Sequence, residues 1–94
     1  MKAKIVSIEN GLQEYEDVEM IRVKSKHHNL LIMQHYMPVL GELDGYVDIV
    51  FKDHSIRFPK IRGYYMHKQD EFQLLAEELG EQPVSMPRDD EEYE

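Results

Sequence analysis

Apolar and polar residues alternate along most of this chain with a period of two. Near the start, Lys4, Val6 and Ile8 fall on one side of an extended chain, and Ala3 and Ile5 fall on the other. This alternation is typical of a half-buried β-strand, because the apolar positions of a helix recur every three or four residues. The same period returns downstream, so the sequence predicts a series of strands. The predicted strands are residues 2–8, 12–16, 18–24, 30–33, 45–51, 56–58, 64–66 and 72–75.

Turn signals separate these segments. Asn10-Gly11 is the strongest short-range hairpin dipeptide, and the polar residues 26–29 interrupt the pattern again. Pro59 lacks a backbone donor, which predicts an edge position or a bulge. Gly63 predicts a break before residues 64–66.

Two segments have a pattern of their own. Residues 30–33 are continuously apolar, as is typical of a central strand, whereas residues 35–43 are predicted to be irregular because they contain Pro38 and Gly41. Residues 71–79 also fit a short helix, since four apolar side chains recur there at helical spacing. The local pattern leaves strand and helix open for that segment.

Short strands at this spacing, with turn signals between them, indicate a sandwich or a barrel. We predict an all-β domain over residues 1–79, a small antiparallel β-sandwich of about seven to ten strands. Residues 80–94 lack the pattern, contain two prolines and are rich in acidic residues, so we predict a disordered, flexible acidic tail. The alternative is an acidic docking tail that uses Tyr93 as an anchor.

The charge distribution narrows the class of partner. The net charge is −8, and most of it falls in residues 77–94, which hold one basic and eight acidic side chains. The chain has no basic surplus for phosphate binding, so we predict no nucleic-acid partner. It contains no apolar run of about 18 residues, so we predict no direct membrane insertion. The absence of cysteine is compatible with a cytoplasmic protein, which is the expected location.

The residues that could support chemistry are scattered. His27 and His28 are adjacent, so on a strand they would point to opposite faces, and the other three histidines lack ligand spacing. The serines have no nucleophile elbow around them, and the chain has no glycine-rich phosphate loop. We therefore predict a non-enzymatic protein without a metal or cofactor. A small metal or ligand binder with a cupin-like barrel remains as a minor alternative.

Aromatic and methionine residues form two clusters in the sequence. Met33, Tyr36 and Met37 flank Pro38, and residues 64–66 form the second cluster. Methionine fills irregular gaps in cores, but tyrosine and methionine are also enriched in protein interfaces. Core packing and an exposed contact surface both remain open.

Several short motifs occur in the order of one known domain. The motifs are an opening strand Lys4-Ile5-Val6, strands at residues 18–23 and 30–33, a corner from His35 to Gly45, the segment Arg62-Gly63-Tyr64 and a closing segment at residues 72–77. In this order they resemble the N-terminal β-sandwich of the epsilon subunit of rotary ATP synthase (delta in mitochondria). The resemblance covers residues 3–79, places a turn at the Arg62 motif and favours a strand for residues 72–77.

The resemblance implies a rotor-coupling domain that binds the ATP synthase central stalk and lies peripheral to the membrane. The C-terminal helical hairpin of that family has no counterpart in this sequence, so an inhibitory role is not implied. The alternative is a stand-alone β-sandwich adaptor for an unknown protein partner. We also predict that exposed edge strands can pair two copies into a homodimer. The candidate partner contacts are Lys26, His27, His28, Met33, His35, Tyr36 and Met37.

Overall fold

The computed structural model describes residues 1–88 and contains only strands and their connections over that range. The prediction of an all-β protein is therefore confirmed at the level of fold class. Within residues 1–88, no helix has the length and the apolar character that crossing a membrane requires. The strands are β1 (Lys2–Ser7), β2 (Gly11–Tyr15), β3 (Met20–Ser25), β4 (Asn29–Met33), β5 (Val39–Val50), β6 (His54–Lys68), β7 (Glu71–Leu79) and β8 (Val84–Pro87).

The strands form one mixed sheet in the order β2-β1-β7-β6-β5-β3-β4, and β8 pairs with β6. The β1–β7 pair is parallel and the other pairs are antiparallel. The prediction of a purely antiparallel, two-sheet sandwich is therefore wrong: the chain forms one sheet with one parallel pair. The physical reason is the length of β5 and β6. These two long strands connect seven strands through one path of hydrogen bonds, whereas the sequence predicted several shorter strands in their place.

A β-bulge explains how β6 continues through a proline. Val47 of β5 pairs with Phe58, and Gly45 pairs with Ile61, so two residues of β6 lie opposite the single residue between them. Pro59 is one of these two residues, and a bulge leaves one residue out of the regular ladder. The prediction of an edge or bulge at Pro59 is confirmed as a bulge.

Three local predictions are settled by the strand positions. Residues 71–79 form β7, so the helix alternative is wrong. Phe72, Leu74 and Ala76 are buried at every second position, and Leu75 between the last two is exposed. Arg62-Gly63-Tyr64 lies inside β6 and is not a turn. β4 lies at the end of the strand order, so the prediction of a central strand at residues 30–33 is wrong. The prediction failed because, of the four apolar residues 30–33, only Ile32 is fully buried.

The sheet bends around one core. The backbone groups of Met1 and Val18 exchange two hydrogen bonds of 3.0 and 3.1 Å, which bring the start of β1 against the chain that leads into β3. These strands are far apart in the strand order, so the sheet must curve for them to meet. The largest fully buried apolar side chains of the core are Phe58, Phe72, Ile5, Ile21, Ile32, Leu43, Ile49 and Leu74.

The segment after β7 is partly ordered into the sheet. Val84–Pro87 pairs with the start of β6, although the sequence predicted a flexible tail from residue 80. Pro87 is tolerated in β8 because this strand lies on an edge, where a missing donor breaks no ladder on its outer side. The remainder of the predicted tail, residues 89–94 with Tyr93, lies outside the described residues.

Candidate functional site

The predicted partner contacts lie at both ends of β4. Lys26, His27 and His28 lie at the turn between β3 and β4, whereas Met33 ends β4. A strand rises about 3.3 Å per residue, so His28 and Met33 are roughly 16 Å apart. The structure therefore places Met33 at the opposite end of β4 from the three turn residues.

The turn residues are held by neighbouring strands. The Lys26 ammonium lies 3.3 Å from the carboxylate of Asp44, and His27 is exposed. The Nε2 atom of His28 is 2.8 Å from the Tyr65 hydroxyl, within hydrogen-bonding distance. His28 thus links the turn to β6 through a half-buried side chain.

The corner after β4 is anchored by Tyr36. His35 has a φ of 67°, and its backbone N–H donates a 2.6 Å hydrogen bond to the Asp70 carboxylate. Tyr36 is half-buried, and its ring lies edge-on to the ring of His67 at 6.3 Å. Tyr36 therefore packs on the core, while the Met37 side chain is 70% exposed.

His67 is a buried polar group beneath this corner. Its exposed fraction is 0%, and within residues 1–88 neither ring nitrogen has a hydrogen-bond partner. Its ring lies between the rings of Tyr36 and Phe72. Burial disfavours the charged imidazolium and lowers the pKa of His67, while the nearby Asp70 carboxylate opposes that shift.

This burial predicts a pH-dependent stability. The unfolded chain binds a proton on His67 below about pH 6.5, whereas the folded chain does not until the pH is lower. We expect the free energy of unfolding to decrease as the pH falls from 7 towards 5. Urea titrations across this range should show a shallower decrease for His67→Leu than for the parent. The control His27→Asn changes an exposed histidine and should keep the parental slope, and an equally steep slope in His67→Leu would contradict the assignment.

An exposed apolar surface lies on the outer side of four neighbouring strands. Leu12, Val6, Leu75 and Tyr64 are in register across β2, β1, β7 and β6. Their exposed fractions lie between 41% and 57%. The next row adds Met66 and Leu40 at the same outer side. We call Val6, Leu12, Leu40, Tyr64, Met66 and Leu75 the apolar face.

The apolar face is concave. Its side chains line a depression of about 530 Å³, together with Lys4 and Gln73 at the base of the second row. The neighbouring inward positions, such as Ile5 and Leu74, are buried in the core. The strands here carry apolar side chains on both sides, so one side remains in contact with water. The sequence left residues 64–66 open as an exposed contact surface, and Leu74-Leu75 was a second doubled apolar pair that was not connected with them.

Charged side chains border the apolar face. Exposed Glu14 lies beside Lys4 across the β1–β2 pair, and exposed Glu42 lies beside Tyr64 across the β5–β6 pair. Three lysines lie on this side of the sheet, Lys4 and, in the next row, Lys2 and Lys68, and the Lys4 ammonium is 3.8 Å from the Glu71 carboxylate. The Gln73 amide donates a 2.5 Å hydrogen bond to that carboxylate, and this bond, with Lys4 close by, lowers the pKa of Glu71. Glu14 and Glu42 thus place carboxylates at two opposite borders of the apolar face.

A second outer region contains a buried carboxylate. Asp48 on β5 is 1% exposed and lies in register with Arg22 on β3 and Arg57 on β6. Arg57 donates two hydrogen bonds to it, of 2.6 and 2.9 Å, and Arg22 donates one of 2.9 Å. The Arg57 guanidinium also lies 4.3 Å from the centre of the Tyr46 ring. This network joins three adjacent strands and is primarily structural.

The described part of the chain contains no group of side chains that converge as ligands for a metal ion. No three histidine, aspartate or glutamate side chains of residues 1–88 lie close enough to hold a metal ion. His54 is paired with its sequence neighbour Asp53 at 2.7 Å, and His35 faces Asp70 at 3.5 Å. These are isolated pairs on different parts of the surface.

Comparison with known proteins adds no assignment. No protein-family model matches the sequence, and no curated protein matches it. The function therefore has to be argued from the surface itself.

Proposed function

We propose that this chain is a non-enzymatic protein-binding domain and that its partner binds the apolar face. The observation that carries the proposal is the continuous apolar surface across five strands, which includes Leu75 at 57% and Leu40 at 75% exposure. Isolated exposed apolar residues are ordinary, but a contiguous and concave group rimmed by polar residues is typical of an interaction site.

The shape and charge of this surface favour an amphipathic helix with basic flanks. Four strands spaced about 4.8 Å apart span roughly 14 Å, which accommodates a helix about 10 Å in diameter. Leu12, Val6 and Leu75 offer a row of apolar contacts to the apolar side of such a helix. The rim carboxylates of Glu14 and Glu42 complement lysine or arginine at its borders.

A defined probe tests the proposal without knowledge of the natural partner. The probe is a fluorescent amphipathic helical peptide built from leucine and lysine, and its matched control replaces every lysine by glutamate. We expect anisotropy titrations to detect binding of the lysine peptide, weakened by salt because the rim is charged. The glutamate peptide should bind at least about tenfold more weakly because its charges repel the rim.

Variants locate the binding surface. Leu75→Asp places a charge in the middle of the apolar face and should weaken binding of the lysine peptide by about tenfold or more, as expected for loss of a central apolar contact. Leu31→Asp makes the same change at an exposed leucine of β4, outside that face, and should leave binding unchanged. Equal affinity of both variants, or equal binding of both peptides, would reject the proposal. Amide NMR spectra of each variant establish that the variant is folded.

The coupling role in a rotary ATP synthase is a narrower proposal that rests on the sequence resemblance. It requires binding to a purified central-stalk subunit, which size-exclusion chromatography of the mixed proteins detects. If the complex with the stalk subunit forms with the parent protein and is lost in Leu75→Asp, then the stalk subunit binds the apolar face and both proposals hold. Separate elution of the two proteins at micromolar concentration would leave the stand-alone adaptor as the function.

A further inference from the structure

The free edges of the sheet are protected unequally. β2 ends the strand order on one side and carries exposed Glu14, and β8 ends in Pro87. Charges and prolines on an edge discourage pairing with other chains. β4 ends the order on the other side, and its sequence Asn29–Met33 contains neither a charged residue nor a proline. β4 is therefore the edge most open to pairing.

The hydrogen-bond pattern identifies which backbone groups of β4 face outwards. The Ser25 N–H donates to the His28 C=O at 2.9 Å, so these two residues form a hydrogen-bonded pair. Such pairs alternate with non-hydrogen-bonded pairs along an antiparallel ladder. Leu30 and Ile32 consequently direct their backbone groups towards β3. Asn29, Leu31 and Met33 direct theirs away from it, and of these the Met33 C=O accepts a 3.1 Å bond from Tyr36.

The side chains of the outward-facing residues suit a second copy of the same edge. Leu31 is 42% exposed and Met33 is 50% exposed, and both lie on the outer side of the sheet. If Leu31 of one copy lies opposite Leu31 of another, then Asn29 lies opposite Met33 on either side of the two-fold axis. Every position in this register is neutral, so no like charges meet.

We propose that two copies of this chain form a dimer by antiparallel pairing of their β4 strands, with Leu31 at the two-fold axis. A second copy is the occupant because the edge is self-complementary and carries no charge that would select a different sequence. The apolar face lies on β2, β1, β7, β6 and the start of β5, and none of its residues belongs to β3 or β4. The dimer therefore leaves that face available, and the inference is independent of the proposed function.

Sedimentation equilibrium of the full chain tests the pairing. We expect a monomer–dimer equilibrium for the parent. Leu31→Lys places two like charges at the axis and should raise the dimer Kd by about tenfold or more. A mixture of Leu31→Lys and Leu31→Glu should restore dimerisation as a heterodimer. Leu75→Lys makes the matched change on the apolar face and should retain the parental Kd.

Backbone exchange provides a second measurement. The Leu31 amide should exchange with solvent more slowly as the protein concentration increases, because dimerisation gives it a partner. The Leu30 amide should be protected at every concentration, because β3 already binds it. A parent that sediments as a monomer at millimolar concentration would overturn the proposal. Loss of self-association in Leu75→Lys with retention in Leu31→Lys would also overturn it, because the contact would then be on the apolar face.

Discussion

Gly63→Ala is expected to lower the free energy of unfolding by about 3 kcal/mol, near the upper end of the usual cost of overpacking. A Cβ atom at Gly63 would lie 2.0 Å from the backbone oxygen of Leu75 and 3.0 Å from the Cα of Ala76. These are backbone atoms of the paired strand β7, so they cannot rotate away as a side chain would. The added methyl group must push β6 and β7 apart at the centre of the sheet.

A glycine series distinguishes this close approach from a general effect of glycine replacement. Gly45→Ala should behave like Gly63→Ala, since its Cβ would lie 2.0 Å from the backbone oxygen of Lys24. Gly11→Ala should cost only about 1 kcal/mol, the penalty of a positive φ, because no atom lies within 4 Å of its Cβ. Urea unfolding of the three variants measures the difference. Equal losses at Gly63 and Gly11 would show that the β6–β7 approach is not tight.

Asp48→Ala is expected to cost about 3 kcal/mol, the lower end of the range for removing one partner of a buried ion pair. The carboxylate is 1% exposed and accepts three hydrogen bonds from two arginines. Arg22 and Arg57 keep 15% and 30% of their side chains exposed, and this residual solvation places the estimate at the lower end. The loss arises because two cations of adjacent strands lose the anion between them.

An exposed pair provides the control for Asp48. Arg62 and Glu78 form a 2.9 Å salt bridge with more than half of each side chain exposed. Glu78→Ala should cost at most about 1 kcal/mol, as is usual for surface pairs. The triple variant Arg22→Met, Asp48→Leu, Arg57→Met should recover most of the stability lost in Asp48→Ala, since apolar side chains can replace a buried ionic network. A loss in Asp48→Ala no larger than that in Glu78→Ala would contradict the structural role of the network.

The strands could be predicted from the sequence because alternation is a local property. The period of two identified β1 but left strand and helix open for β7, and Asn10-Gly11 located the first hairpin, where Gly11 has a φ of 67°. The length of β6 could not be predicted, because Pro59 and Gly63 are ordinary breakers that a bulge and a close strand approach accommodate. The parallel β1–β7 pair was missed for a different reason, since it joins residues that no local pattern relates.

The candidate surface was harder to predict than the strands. The prediction of partner contacts relied on the cluster of aromatic and methionine residues at the corner after β4. Tyr36 of that cluster instead packs on the core beside His67. Residues 64–66 stayed open between core and surface, and Leu75 was not predicted as exposed, because Tyr64 and Leu75 each have a buried apolar neighbour in sequence, Tyr65 and Leu74. Which member of such a pair faces water depends on the register with the adjacent strand. Register is set by the whole sheet, so one segment alone does not reveal it.

The position of β1 between β2 and β7 also determines when this protein can finish folding. β1 is synthesised well before β7, yet its Ala3 pairs with Phe72 of that strand. A chain emerging from the ribosome can form the β1–β2 and β3–β4 hairpins early, but its first strand keeps an open inner edge until β7 is released. Closing so long a loop carries an entropic cost that the contacts offset only afterwards. Folding is therefore governed by non-local contacts, in the millisecond-to-second class of small β-proteins.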